Sequence, residues 1–296
     1  MPIVGVDLGY TYTKTSEMLK FESKISEVEP LLGGKRLKID GCTYFMGEGK
    51  GTVDLNKIDS VITKACLFYA LGKVKTGAEG FKIVTGLPIA QYQTLQEGLK
   101  QMILNNRYKM ISVDLEPDKR IYIEDVKVYP QGAGALYGQN IVGDAIVVDI
   151  GGRTVDIAYF SIQDGVRKLT KSETLFDGML TLYSSIINRV NAKYMINLQP
   201  EYSQNILING LTIDGDKQDI GFLKPVISEH IEGICNEIRL NYPANTTTIY
   251  LCGGGAELLE GAFKRHFKDI QKLNNSQFAN AIGYKKVGEA IWTINR

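Results

Sequence analysis

Residues 3–14 read IVGVDLGYTYTK, and residues 147–158 read VVDIGGRTVDIA. Both stretches run as an apolar strand to an aspartate, pass through a glycine-containing turn and return as a second strand. A single apolar strand that ends in Asp-x-Gly occurs in many α/β proteins. Two copies about 140 residues apart, each opening one half of the chain, predict a duplicated α/β fold.

Each predicted hairpin has the chemistry of a phosphate-binding loop. A tight turn presents consecutive backbone N–H groups, and such a nest binds phosphate oxygens. Glycine is needed there because a side chain would block the phosphate or prevent the turn. The aspartate before each turn, Asp7 or Asp149, suits a Mg²⁺ ion that keeps several waters and uses one or two protein carboxylates. A third glycine-rich stretch, LCGGGAELLEG at 251–261, strengthens the prediction of a nucleotide site.

The composition is that of a globular protein with two domains. The chain has 296 residues, and about 150 residues per domain is a usual size. Hydrophobic residues make up 44% and charged residues 23%, which excludes a disordered chain. With 34 Lys and Arg against 33 Asp and Glu, the net charge is +1. No global field attracts a polyanion, so we expect no direct binding of nucleic acid.

Cysteines, histidines and the N-terminus indicate a cytoplasmic protein without a metal cluster. The four cysteines show no CxxC spacing and are interpreted as buried free thiols: Cys42, Cys66, Cys235 and Cys252. His230 and His266 are interpreted as solvated helix residues, so we do not expect histidine-based catalysis. The N-terminus lacks the features of a signal peptide, and no apolar run reaches 18 residues, so we expect no membrane segment.

Hydrophobic periodicity predicts alternating strands and helices. Strands are expected over 2–8, 13–21, 42–46, 81–87, 109–115, 120–128, 145–150, 154–161, 168–175 and 247–252. Helices are expected over 56–72, 91–105, 178–193, 225–240 and 286–294, with another closely packed helix beginning within 130–138. Residues 22–40 are interpreted as a hairpin or loop.

The order of these motifs resembles that of the actin-like ATPases, a superfamily that also includes sugar kinases and heat-shock chaperones. Residues 7–14 (DLGYTYTK) and 149–156 (DIGGRTVD) are similar to its two phosphate motifs, and 251–256 (LCGGGA) to its adenosine motif. Residues 130–134 (PQGAG) and 280–283 (NAIG) resemble its two connecting helices. Within the superfamily, the compact length and the stretches IVTGLP at 83–88 and FDG at 176–178 are similar to plasmid-segregation actins of the ParM/StbA type.

The resemblance implies an α/β, actin-like fold in which a ribonuclease-H-like domain is duplicated and a nucleotide cleft lies between the two lobes. Residues 1–140 would form the N-terminal lobe, with the first phosphate motif and the first connecting helix. Residues 141–296 would form the C-terminal lobe, with the second phosphate motif and the adenosine motif. The last helix is expected to return to the first lobe.

The resemblance also assigns roles to individual residues. Gln131 would orient the attacking water, with Asp149 and Asp156 as the other catalytic candidates. Asp7 and Asp149 would bind Mg²⁺ through water. The nucleotide-binding residues would be Asp7, Gly9, Tyr10, Thr11, Thr13, Lys14, Gly151, Gly152, Arg153, Thr154, Gly178, Gly253, Gly254 and Gly255.

Two positions depart from the family pattern. Gln131 stands where ParM-like proteins often carry glutamate, and an amide can position water but cannot act as a general base. Tyr10 stands where many relatives carry serine, which leaves the backbone N–H of Tyr10 as the expected phosphate donor.

The function implied by the resemblance is a filament-forming actin-like protein that hydrolyses ATP or GTP with Mg²⁺. Its partners would be further copies of itself and a DNA-binding adaptor of a plasmid partition system, since the charge balance argues against direct contact with DNA. Three alternatives remain open: a small-molecule kinase of the same superfamily, a cell-shape or cell-division actin homologue, and an interaction protein without activity. Residues 288–296 offer only three large apolar side chains, which disfavours a membrane-bound relative.

Overall fold

The computed structural model describes residues 1–51, 57–58 and 60–293. The chain divides into two compact units. Unit 1 comprises Met1–Val142 and Leu273–Arg296, and unit 2 comprises Gly143–Lys272.

Strands and helices alternate along both units. The strands are β1 (Ile3–Leu8), β2 (Tyr12–Thr15), β3 (Lys20–Glu22), β4 (Lys24–Ser26), β5 (Lys35–Ile39), β6 (Cys42–Met46), β7 (Lys50–Gly51), β8 (Gly80–Leu87), β9 (Tyr108–Val113), β10 (Lys119–Pro130), β11 (Ala145–Ile150), β12 (Val155–Gln163), β13 (Val166–Leu175), β14 (Leu211–Ile213), β15 (Asp216–Gln218), β16 (Ile249–Cys252) and β17 (Ile270–Lys272). The helices are α1 (Val61–Lys73), α2 (Ile89–Asn105), α3 (Ala133–Tyr137), α4 (Met179–Tyr194), α5 (Tyr202–Asn209), α6 (Lys224–Asn241), α7 (Ala256–Phe263) and α8 (Ala279–Thr293).

The sheets of the two units contain the same arrangement of five strands. In unit 1 the order begins β3-β2-β1-β8-β10, and in unit 2 it is β13-β12-β11-β16-β17. In both, the first three strands are antiparallel and the last three are parallel. The predicted duplication is therefore confirmed by topology. Unit 1 extends its sheet beyond β10 with β9, β5, β6, β4 and β7.

The central strands β1 and β11 are buried, as their apolar sequences require. Val4, Val6 and Leu8 of β1 pack into the core that α1 covers. In unit 2, Val148 and Ile150 of β11 pack into the core formed with α4, α6 and α7. Since side chains alternate across a strand, the aspartates Asp7 and Asp149 lie on the opposite face of each sheet.

Helix α8 lies in unit 1 and packs directly on backbone. A Cβ at Gly283 would overlap the carbonyl oxygen of Gly134 in α3, and a Cβ at Gly5 in β1 would overlap that of Ala281. The aromatic ring of Tyr284 fills the space beside Gly134. Glycine at these positions therefore lets three elements approach closely.

Several predicted elements differ from the observed ones. The strand predicted over 13–21 is two strands, β2 and β3, separated by a turn in which Met18 has φ 63°. The segment 22–40, predicted as a hairpin or loop, contains β4 and β5, which pair with other strands and not with each other. The terminal helix begins at Ala279, well before residue 286, and its predicted end at 294 lies outside the described residues.

Two further helix predictions were only partly right. The helix predicted over 56–72 begins at Val61, because the Ser60 hydroxyl caps it by accepting from Thr63 N–H; residues 56 and 59 lie outside the described range. The helix predicted from 130 onward is a single short turn, α3, because β10 continues to Pro130 and Gly132 adopts φ 76°.

Cys66, Cys235 and Cys252 are buried, whereas Cys42 is exposed, contrary to the prediction for all four. Cys42 follows the turn of the β5–β6 hairpin at the start of its strand, and local apolar neighbours do not bury a strand end. Within the described residues, no helix has the length and apolarity needed to cross a bilayer.

Candidate functional site

The first hairpin places an aspartate and a lysine side by side. In the β1–β2 ladder, Asp7 is directly opposite Lys14. The Lys14 Nζ donates to Asp7 Oδ2 at 3.0 Å, and the two side chains are only 12% and 4% exposed. Gly9 turns the hairpin, and a Cβ there would lie 2.5 Å from the Tyr12 carbonyl oxygen. The antiparallel register therefore brings two of the predicted nucleotide-site residues into contact.

Gln131 joins this pair from another part of unit 1. It follows β10, whose parallel pairing with β8 carries the chain to the same edge of the sheet as the end of β1. The Gln131 N–H donates to the Leu87 carbonyl at 2.9 Å, which fixes the backbone. Its side-chain Nε2 donates to Asp7 Oδ1 at 3.2 Å in a buried environment. The structure thus brings three predicted site residues together.

A polar network supports the hairpin from its inner side. The Ser23 hydroxyl donates to the Gly9 carbonyl at 2.7 Å and lies 2.9 Å from Thr13 Oγ1. Burial raises the pKa of the Cys66 thiol to about 12, although hydrogen bonds with Thr13 and Ser23 partly oppose this shift. Cys66 is therefore an uncharged, inert neighbour. The Thr13 hydroxyl faces this interior network and is separated from the Asp7 face.

The hydroxyl of Thr11 marks the outer part of the hairpin as a ligand-binding candidate. Its Oγ1 is buried and makes no hydrogen bond within the described part of the chain. A buried hydroxyl without a partner is costly in a folded protein. A bound phosphate oxygen would satisfy it.

The second hairpin repeats the first with a different partner. Asp149 of β11 is directly opposite Asp156 of β12, seven residues further along, as Lys14 is from Asp7. Both carboxylates are buried, at 7% and 2% exposure. Thr174 of β13 donates to Asp156 Oδ1. A bound cation would stabilise carboxylates placed opposite each other.

The turn of the second hairpin is tied to the start of α4. Gly151 N–H donates to the Thr154 carbonyl at 2.9 Å. Gly178 N–H reaches the Arg153 carbonyl at 3.2 Å, and a Cβ at Gly178 would lie 2.6 Å from the Gly152 oxygen. The first amides of α4 donate to the carbonyls of 151 and 152. The five predicted residues of this loop are therefore brought together.

The third glycine-rich stretch lies at the same end of the unit 2 sheet. Strand β16 runs parallel to β11, with Cys252 beside Asp149. Gly253 follows with φ 83°, and a Cβ there would overlap the Asp149 carboxylate. Gly255 N–H donates to the Ile150 carbonyl at 3.0 Å. The glycines predicted for nucleotide binding thus border the predicted metal carboxylate.

Comparison with known families matches both halves to models of actin-like proteins. The family model "Actin like proteins N terminal domain" matches residues 5–134. The model "Archaeal actin homologue MreB-like, C-terminal" matches residues 147–265. The chain belongs to the actin-like proteins. Its two predicted phosphate motifs fall one in each matched segment. No curated protein matches the sequence significantly.

Solved structures show the same actin-like fold. The archaeal actin homologue Ta0583, in complex with ADP, is 21% identical with TM-score 0.83, covering 98% of this chain and 100% of that one. A Clostridium botulinum ParM from a 15-stranded filament is 22% identical with TM-score 0.82, at 98% and 100% coverage. Bacillus thuringiensis ParM with ATP is 14% identical with TM-score 0.68, at 100% of both chains. At these identities the likeness shows the fold, which confirms the predicted actin-like, two-domain α/β architecture.

Each unit has a buried aspartate of the kind that can bind magnesium through water. Asp7 and Asp149 supply the carboxylate oxygens that Mg²⁺ prefers. Asp7 accepts one hydrogen bond on each oxygen, from Lys14 Nζ and from Gln131 Nε2. Each carboxylate oxygen has a second lone pair that could accept from a metal-bound water. Among the described residues, no group of three His, Cys, Asp or Glu is placed to enclose a metal. Each of the two carboxylates, taken by itself, suits contact with metal-bound water.

Four residues that support the site were not predicted from the sequence: Ser23, Gln91, Thr174 and His230. The contact of Thr174 with Asp156 could almost be predicted, because the Asp164–Gly165 turn sets the β12–β13 register next to it. That register would place Glu173 opposite Asp156, but a β-bulge between Tyr159 and Phe160 shifts the pairing by one residue. Ser23, Gln91 and His230 contact their partners through tertiary structure and carry no local signal.

His230 is buried, not solvated as the sequence suggested. Its side chain is 6% exposed, with Nδ1 3.2 Å from Asp177 Oδ2 just before α4. Its Nε2 is buried and makes no hydrogen bond within the described part of the chain. Burial lowers the pKa of His230, and the charge of Asp177 partly opposes this. Protonation would place an unpartnered N–H in the interior of unit 2.

The lowered pKa of His230 predicts that the folded protein loses stability in mild acid. The unfolded chain binds a proton near pH 6.5 while the folded chain resists it. The free energy of unfolding should therefore fall as pH drops below that value, by up to about 1.4 kcal/mol per pH unit. Urea unfolding at pH 7.5, 6.5 and 5.5 checks this, with His230→Gln expected to flatten the profile. Parallel profiles for the two proteins would contradict the assignment.

Proposed function

We propose that this actin-like protein binds and hydrolyses ATP or GTP with Mg²⁺, and that nucleotide drives its assembly into filaments that segregate plasmid DNA. Two of its structural neighbours are described as bound to ADP or ATP, and a third as a filament. The observation that carries the proposal is the repeated hairpin. Asp7 and Asp149 occupy the same position in the five-strand arrangement that the two sheets share, each before a glycine turn.

Each hairpin supplies a different part of the proposed chemistry. Backbone N–H groups around Gly9 and Gly151 would bind phosphate oxygens, as glycine turns allow. Lys14 adds a cation that can reach a phosphate, while Asp7 holds it in place at 3.0 Å. Hydrolysis of a phosphoanhydride depends mainly on positioning and charge stabilisation, so it needs no covalent intermediate on the protein.

Gln131 is the proposed residue for orienting the attacking water. Its amide can donate and accept hydrogen bonds but cannot remove a proton at neutral pH. The hydrogen bond from Gln131 Nε2 to Asp7 Oδ1 fixes the side chain and points its amide oxygen away from Asp7. Asp156, fixed by Thr174, is the second candidate for this role.

Mg²⁺ would neutralise phosphate charge when bound, and Asp7 and Asp149 would hold its waters. Asp149→Asn should weaken the Mg²⁺ dependence of nucleotide binding by about tenfold to a hundredfold, as for other outer ligands of metals. Titrating Mg²⁺ against nucleotide binding measures the effect. Asp164→Asn, in the exposed β12–β13 turn, removes the same charge and serves as the control. Identical titration curves for Asp149→Asn and wild type would refute the role of Asp149.

Filament formation would use contacts in which each copy meets the next head to tail, and such contacts propagate without closing. Nucleotide can favour the polymer only by binding the assembled conformation more tightly than the free one. The net charge of +1 places little repulsion between copies. The same balance leads us to propose that DNA is reached through a separate adaptor protein.

Sedimentation in the presence and absence of Mg²⁺ with ATP or GTP tests the proposed function. We expect pelleting that requires Mg²⁺-nucleotide, and longer-lived polymer with a non-hydrolysable analogue. Negative-stain electron microscopy distinguishes filaments from amorphous aggregate. A protein that stays monomeric at micromolar concentration with every nucleotide, yet phosphorylates a sugar or acetate, would instead be a kinase of the superfamily.

A further inference from the structure

Tyr10 stands at the tip of the first phosphate hairpin, and its side chain is held from two directions. The phenol hydroxyl donates to Gln91 Oε1 at 3.1 Å, in the first turn of α2. The Nζ of Lys57 lies 4.7 Å from the ring centroid, which is a cation–π distance. The residue at the tip of the hairpin is thereby connected to two separate parts of unit 1.

Lys57 is unusual for a lysine because it is only 2% exposed. It lines a small internal cavity together with Gly9 and Ser23 of the hairpin region and Cys66 of α1. Removing an ammonium group from water is costly, and the face of an aromatic ring offsets part of that cost. This lysine is therefore built into the support of the hairpin and is not a solvated surface charge.

The segment that carries Lys57 is also anchored on α2. Ile58 packs so closely on Gly98 that a Cβ at Gly98 would lie 2.5 Å from Ile58 Cδ1. Together with the two contacts of Tyr10, this packing joins the hairpin tip, α2 and residues 57–58 to one another in pairs. A displacement of the tip would break at least one of these three contacts.

We propose that Lys57 is a positioning residue for nucleotide binding. It holds the Tyr10 ring, and through it the backbone N–H groups at the hairpin tip, in the geometry that accepts a polyphosphate anion. Gln91 holds the hydroxyl of the same ring. The inference rests on the proposed nucleotide binding and adds a buried cation outside the glycine-rich motifs. Because a loop ordered in advance loses less entropy on binding, removing the support should lower affinity.

The test is the affinity of the full-length protein for fluorescent analogues of ATP and GTP with Mg²⁺. Lys57→Met removes the charge and keeps an apolar stem, and is expected to weaken binding about tenfold to thirtyfold, the range of a desolvated cation–π contact. Lys57→Arg keeps the contact and should stay within about threefold. Lys75→Met loses the same charge at an exposed position of unit 1 and should bind as wild type does.

A double-mutant cycle separates positioning from a direct effect of charge. If Lys57 acts through the ring, Lys57→Met causes no further loss in a Tyr10→Leu background. Additive losses, or a Lys57→Met variant that binds as wild type does, overturn the inference while the proposed function stands.

Gln91→Ala provides a second test if Lys57→Met fails to fold by circular dichroism. It leaves Lys57 in place and removes the acceptor of the phenol, so affinity should fall about twofold to tenfold. Unchanged affinity of this variant would overturn the inference. A wild-type protein that binds neither analogue would overturn the proposed function, and the inference with it.

Discussion

Replacing Gln131 with alanine is expected to slow nucleotide hydrolysis about 10²- to 10⁴-fold while nucleotide binding is retained. The amide is buried and its Nε2 donates to Asp7 Oδ1 at 3.2 Å, so it is held rigidly beside the proposed phosphate hairpin. Alanine removes the only function proposed for this side chain, the orientation of water, and leaves the hairpin amides in place. Phosphate release at saturating nucleotide, together with a binding titration, measures the two effects separately.

The control for this variant is Gln139→Ala, a few residues further along. Its Nε2 donates to the backbone carbonyl of Asn274 in an exposed hydrogen bond that does not involve Asp7. This variant should hydrolyse nucleotide as wild type does. If phosphate release by Gln131→Ala were unchanged, water positioning would have to be reassigned, with Asp156 as the next candidate.

Replacing Gly283 with alanine is expected to destabilise unit 1 by at least about 3 kcal/mol, the upper part of the range for overpacked cores. The new Cβ would overlap the Gly134 carbonyl oxygen and lie 3.2 Å from Gly138 N–H. Both neighbours are backbone atoms, one in α3 and one in the residue that caps its C-terminus, and they cannot rotate away as a side chain can. Helix α8 would have to move, and the bond from Gly132 N–H to Asn280 Oδ1, 2.9 Å long, would be lost.

Gly233→Ala makes the opposite prediction with the same chemical change. Gly233 lies in the interior of α6, and a Cβ there meets nothing within 4 Å. Alanine should therefore stabilise the protein by up to about 1 kcal/mol, the difference in helix propensity. Urea or thermal unfolding of both variants measures the contrast. A Gly283→Ala protein as stable as wild type would show that α8 can move away from α3 at little cost.

The hairpins illustrate what local sequence is able to predict. Strand β11 was predicted with its observed limits and β1 within one residue, because buried apolar runs bounded by Asp and Gly are local signals. The duplication could also be predicted, since both hairpins repeat the same order of residues. The close pairing of Asp7 with Lys14 then follows from the turn, whose length fixes the register over only seven residues.

Contacts between residues far apart in the chain could not be predicted from local sequence patterns. The bulge at Thr170 of β13 shifts the partner of Asp156 by one residue, and no local feature of β12 or β13 predicts it. The role of Gln131 was implied by family resemblance and not by periodicity. Periodicity places the start of α8 seven residues too late, although the family resemblance indicates a connecting helix at 280–283. The first turns of α8 contain Asn280 and Gly283 and look weakly helical until they are packed on α3 and β1.

By itself, the sequence determined two glycine-turned hairpins with buried aspartates, because strand, turn and register depend on residues near one another in the chain. Only tertiary structure decided which distant side chains support them: Gln131 on Asp7, 124 residues away, and Gln91 on Tyr10, 81 residues away. The same holds for Asn280 on Gly132, at a separation of 148 residues. Parallel strands joined by long crossovers bring such residues together, and the free energy that selects each pair comes from burial of the whole sheet.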